Sequence, residues 1–132
     1  MAIDYDGKDI SFLAGEDLSA MQYRFVHQAD DNTVDMVDGA TEIPVGVLQN
    51  APESGEVAVV RVTGTSKLVM NAAVAVGALL KCEYVGATDN GKGDAADTDG
   101  DYARAMCIQA SGAEDDVGGV VLLGPTRISV PA

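Results

Sequence analysis

Apolar and polar positions alternate along this chain in short bursts, and turn residues punctuate them. The best-specified stretch is 43–64, Ile-Pro-Val-Gly-Val-Leu-Gln-Asn-Ala-Pro-Glu-Ser-Gly-Glu-Val-Ala-Val-Val-Arg-Val-Thr-Gly, where two β-branched runs flank a turn holding Pro52, Ser54 and Gly55. The pattern predicts strand, tight connection, strand. In the second run Ala58, Val60 and Val62 face one way, while Val57, Val59, Arg61 and Thr63 face the other. A strand apolar on both faces belongs inside a sandwich, a barrel or an oligomer contact.

The rest of the chain extends this theme. Residues 1 to about 8 are polar and unpatterned and read as a flexible N-terminal arm. Positions 10–14 form a first short strand, ended by Gly15, Glu16 and Asp17. Across 22–28, Tyr23, Phe25 and His27 share one face and Gln22, Arg24 and Gln28 the other, the mark of a half-buried strand. Asp30, Asp31 and Asn32 supply turn chemistry, and 33–37 returns as the hairpin partner. Gly64, Thr65, Ser66 and Lys67 read as a turn into Leu68, Val69 and Met70, and 71–77 fits a loose turn or one short helix. Strand character resumes over 79–85, with Leu80, Cys82 and Tyr84 inward and Lys81 and Glu83 outward. Residues 86–101 hold four glycines, five aspartates and no large apolar side chain, which predicts a long, exposed, mobile acidic loop. Two final strands, 102–110 and 117–123, flank an acidic turn. Eight or nine strands at short spacing, with no amphipathic helix, predict an all-β fold, a small β-sandwich or β-barrel. The expected organisation is an arm over 1–8 and a single β domain over 9–132.

Composition sharpens this picture. Two Phe, four Tyr and no Trp in 132 residues leave the core to small and branched aliphatics, which suits thin sheets. The net charge of -13 argues against nucleic acid, since phosphate binding needs clustered Lys and Arg and the eight here are scattered. Anionic membrane surfaces are disfavoured for the same reason. The first residues carry neither a basic nor an apolar signal region, so the chain is expected to be made and kept in a cytosol-like compartment, with Cys82 and Cys107 reduced.

Four constellations invite chemistry, and each has a blander reading. Gly86 to Gly93 matches a phosphate-binding loop up to its last position, where Gly93 replaces the required Ser or Thr and no helix follows. Asp97, Asp99 and Asp101 alternate as calcium ligands do, but Gly100 comes too early for an EF-hand and the closing Glu is absent; weak divalent binding is the residual reading. His27 is the only histidine and has no team of catalytic or metal-binding partners, so it is expected to be a packed or interface residue. Lys67 faintly resembles the modified lysine of biotinyl and lipoyl carrier domains, although Ser66 and Leu68 flank it instead of the expected neighbours. No enzyme activity, cofactor or metal is expected.

Several segments, read together, resemble the capsid decoration, or cement, proteins of tailed bacteriophages: 17–26, 44–52, Gly64-Thr65-Ser66-Lys67, Ala75-Val76-Gly77 and 119–123. The resemblance spans about residues 8 to 124. It implies a small β protein on the outer surface of a virion head, synthesised in the host cytoplasm. It further implies a homotrimer at three-fold and quasi-three-fold positions, bridging units of the major capsid protein after shell expansion, with no catalysis. The arm, with Ala2, Ile3, Asp4 and Tyr5, would then add to a sheet edge of the major capsid protein, and Val57, Val59 and Arg61 would pack around the three-fold axis. The rival expectation is a tail- or surface-associated adhesin module using the 86–101 loop to hold glycan or calcium.

Overall fold

The computed structural model describes residues 5–39, 41–84, 86 and 88–129. Nine strands follow one another: β1 (Gly7–Ala14), β2 (Phe25–Asp30), β3 (Thr33–Met36), β4 (Pro44–Leu48), β5 (Val57–Val69), β6 (Leu79–Cys82), β7 (Gly93–Ala95), β8 (Tyr102–Gln109) and β9 (Val117–Arg127). No helix occurs among the described residues. The strands hydrogen-bond in the order β1-β3-β2-β4-β5-β9-β8-β6-β7, and β1 also pairs with β5. That extra pairing closes the first five strands into a barrel, with β1 and β3 parallel and the other neighbours antiparallel. The remaining strands continue from the far half of β5 as a second sheet. The all-β expectation therefore holds, in its barrel form.

The 13 residues of β5 serve both halves. Val57 to Gly64 line up against β1, and Thr65 to Val69 against β9. The hand-over falls at Gly64, whose φ of 98° lies in the left-handed region. A Cβ there would strike the Asp6 carbonyl oxygen and the Gly7 Cα, because the chain start lies directly against it. The expected turn at Gly64 to Lys67 is thus a bend inside one strand. Ser66 escapes the usual cost of burying a hydroxyl by accepting from Gln49 Nε2 at 2.9 Å and donating to the Lys67 carbonyl at 2.8 Å.

Two cores share one wall. Phe12, Leu18, Val26, Val34, Leu48 and Val60 fill the barrel. Phe25, Val47, Leu68, Met70, Leu80, Cys107 and Val120 fill the space between the barrel and the second sheet. Successive residues of β2 (Phe25, Val26) and β4 (Val47, Leu48) point into different cores, so the start of β2 and the end of β4 are apolar on both faces. This corrects the half-buried reading of 22–28. Tyr23 is not in the strand at all; its φ is 64° and its ring lies 5.6 Å from the Lys67 ammonium.

Other expectations are corrected as well. Of the expected arm, Tyr5 donates to Gln109 Oε1 at 2.5 Å, the Asp6 N–H donates to Thr65 Oγ1 while the Asp6 carbonyl accepts the Thr65 N–H, and Gly7 and Lys8 belong to β1. Residues 71–77 form an irregular turn pinned by a Val74–Ser111 bridge. Tyr84 is 41% exposed and does not enter the core.

The 86–101 segment is only partly an exposed loop. Asn90, Gly91, Lys92 and Gly93 are buried, and β7 lies within it. Arg24 donates to the carbonyls of Thr88 (2.9 Å) and Asn90 (3.2 Å), and Phe25 N–H to that of Gly91 (2.8 Å). Gly91 has φ 84°, and a Cβ there would sit 2.6 Å from the Phe25 carbonyl oxygen. The Lys92 ammonium is held by Asp115 and by Asp89 at 2.7 Å. Burial alone would lower its pKa, but the bonds to Asp115 and Asp89 outweigh that and raise it.

Two substitutions test this architecture. Leu68→Ala removes a fully buried side chain from the second core and is expected to lower unfolding free energy by about 3 kcal/mol in urea titration. Gly64→Ala is expected to cost on the order of 1–3 kcal/mol, and to speed amide exchange at Thr65, whose N–H bonds the Asp6 carbonyl.

Candidate functional site

β4 and the end of β9 part company along β5. Val47 and Leu48 of β4 pair with Arg61 and Val60, whereas β9 pairs with β5 only from Thr65 to Val69, through Val121 back to Val117. Between the diverging strands opens a cleft made of three adjoining hollows of about 580, 180 and 700 Å³. All three are lined by Pro44, Arg104 and Pro125. Ile43 (67% exposed) and Tyr102 (50%) stand on its walls with Tyr84, which gathers three of the exposed large apolar side chains in one place.

The charged groups of the cleft have partners with one exception. Lys81 lies 3.5 Å from Asp101, and His27 Nε2 lies 3.3 Å from Glu42 Oε1. The same Glu42 oxygen accepts the Asp38 N–H at 2.8 Å, so Glu42 clips the β3–β4 connection that forms one wall. Arg104, half-buried on β8, has no hydrogen-bond or ion-pair partner among the described residues. Burial pulls its pKa below the usual guanidinium value, though it stays protonated at any ordinary pH. Beside it, burial pushes the Cys82 thiol up to about 12, which makes it a poor nucleophile.

The residues singled out from sequence are scattered. Ala2, Ile3 and Asp4 lie outside the described residues. Tyr5 is laid on β8 and β9, and its hydroxyl is committed to Gln109. Val57, Val59 and Arg61 share the outer barrel face with their β1 partners Leu13, Ser11 and Asp9. Val57 (53% exposed) and Leu13 (44%) make an apolar pair there, while Arg61 is held by both Asp9 oxygens at 2.7 and 3.1 Å. His27 borders the cleft.

Lys67 sits mid-strand, so the hairpin-tip presentation of a carrier lysine is not met. The phosphate-loop reading fails on two counts. Lys92 is spent on two carboxylates, and β7 follows where a helix belongs. Asp101 accepts from Thr98 N–H as well as facing Lys81, and among the described residues no three His, Cys, Asp or Glu side chains converge as a metal site. Cys82 and Cys107 are free thiols.

Sequence reasoning missed Arg104. The alternation Tyr102-Ala103-Arg104-Ala105 places it on the face opposite the buried alanines, but only the fold brings Pro44 and Pro125 to either side of it.

The geometry defines a small β-barrel protein with a fused second sheet and a surface cleft. No family model matches the sequence, and no curated protein does. Among solved structures, the crystal structure of the head fiber gp8.5 N base in bacteriophage phi29 is similar. The two chains share 16% identity with a TM-score of 0.62, over 95% of this chain and 98% of that one. At that identity the likeness is one of fold.

If Glu42 clips the wall of the cleft, Glu42→Gln weakens a charge-assisted bond. Amide exchange at Asp38 is then expected to quicken by about fivefold, a loss of ~1 kcal/mol, with core amides unchanged.

Proposed function

We propose that this chain is a non-catalytic structural protein of a bacteriophage head. The observation that carries the reading is the near-complete mutual coverage with the phi29 head fiber base. Nearly all of this chain aligns with nearly all of that head fiber base. The segments that resemble cement proteins support the same role from the sequence side.

In its finer form the proposal is a decoration protein on the outer surface of the shell, bound to the major capsid protein at three-fold and quasi-three-fold positions as a homotrimer. Binding of this kind needs no deep site, because many weak contacts on a repeating lattice reinforce one another through effective concentration. The Val57 and Leu13 pair supplies exposed apolar surface for contacts between copies, with Val59 and Arg61 beside it. Ala2, Ile3, Asp4 and Tyr5 are retained as capsid-contact residues. The net charge of -13 keeps copies apart until the lattice gathers them, and makes nucleic acid and anionic membranes unsuitable partners.

Co-sedimentation with undecorated heads of the encoding phage tests the role, using unexpanded heads as control. Saturable binding to the expanded lattice alone is the expected result; no binding to either lattice would remove the proposal.

A further inference from the structure

Three features of the cleft point to one kind of occupant. The first is Arg104. A guanidinium is a rigid fork of five donors, well matched to a carboxylate, and in a folded protein it normally has partners. Here it is half-buried and has none among the described residues, although the chain as a whole carries 21 acidic residues against eight Lys and Arg. Lys81 is paired with Asp101, and Glu42 is bonded to His27 and to the Asp38 N–H, so Arg104 is the one charged group lining the cleft that has no partner among the described residues.

The second feature is strand β9. Up to Val121 it has a partner on both sides; beyond that Leu122 pairs only with Ala105 of β8, Leu123 to Pro125 bulge out of the ladder before it resumes at Thr126, and the edge that β5 has left faces the hollow shared with Pro44 and Val62. Backbone groups on a free edge are a template for an added strand. Pro125 has no N–H and limits the usable edge to Leu122, Leu123 and Gly124. The third feature is the exposed Ile43 and Tyr102 on the cleft walls, which suit apolar side chains flanking a charge.

From these we infer that the cleft receives an extended segment of the shell protein, a short apolar strand that adds to the Leu122–Gly124 edge and delivers a Glu or Asp carboxylate to Arg104. The inference rests on the proposed head role for its partner, while its chemistry rests on the cleft alone.

The test separates the two. Isotope-labelled protein is titrated in NMR with acetyl-Ser-Val-Glu-Val-Ser-amide, with its glutamine counterpart, and with sodium acetate. The glutamate peptide is expected to give saturable shifts at the amides of Leu122, Leu123 and Gly124 and at the Arg104 Nε–H. Binding should be about tenfold weaker with the glutamine peptide and in Arg104→Gln. Arg104→Lys keeps the charge but loses the fork, so intermediate binding is expected; the amide dispersion of both variants reports that they fold.

Absence of saturable shifts at these residues up to about 10 mM, equal binding of the glutamine peptide, or the full pattern produced by acetate would overturn the extended-segment reading. Arg104→Gln is also expected to sediment at least about tenfold more weakly with expanded heads. If it binds them as well as wild type does, the shell is not the occupant. If wild type ignores heads yet binds the glutamate peptide, the head role falls and the shell with it, while the preference of the cleft for a carboxylate strand stands.

Discussion

One strand has to satisfy three neighbours. β5 gives its first half to β1 and β4 and its second half to β9, and both cores lie against it. A chain with six aromatic residues and no helix among its described residues lacks the large side chains that fill a thick interior. Two thin cores separated by a shared wall meet that limit, since each is narrow enough for Val, Leu and Ala to pack. The shared wall requires the start of β2 and the end of β4 to be apolar on both faces, and the left-handed bend at Gly64 lets one strand change partners without breaking. The cleft follows from the same divergence, because β4 and β9 leave β5 in different directions.

What the sequence made legible was local. The pairing of 43–50 with 56–63 could be read because β-branched runs flanked a turn, and the structure pairs them through Leu48 and Val60. The bend at Gly64 was misread because Gly-Thr-Ser-Lys has the composition of a turn; nothing nearby shows that Gln49 will satisfy Ser66. The 86–101 segment was misread for a related reason. Arg24 holds its Thr88 and Asn90 backbone carbonyls and Asp115 its Lys92 ammonium, both from far along the chain, so a run that looks solvated is in part interior. Arg104 belongs to the same category, since its importance lies in the lack of a partner, and alternation along one strand does not record that.

The electrostatics divide cleanly. Two cations are used internally, Arg61 on Asp9 in the barrel and Lys92 on Asp89 and Asp115 in the 86–101 segment. The half-exposed Arg61–Asp9 pair adds modestly to stability, whereas Lys92 is buried and needs its carboxylates to stay there. Arg104 is left over, and a half-buried charge without a partner is a cost that a ligand can remove.

The order of the strands along the chain also sets an order of assembly. Every partner the barrel needs lies between Gly7 and Gly64, so its ladder can close while the second half of the protein is still on the ribosome. Until β8 and β9 emerge, the outward-pointing Phe25 and Val47 stand bare on the back of that barrel. Tyr5, meanwhile, waits for a partner 104 positions downstream. The nascent barrel is thus a half-protein with one sticky side, and the speed with which the second half of the chain follows governs how long that side is open to strangers.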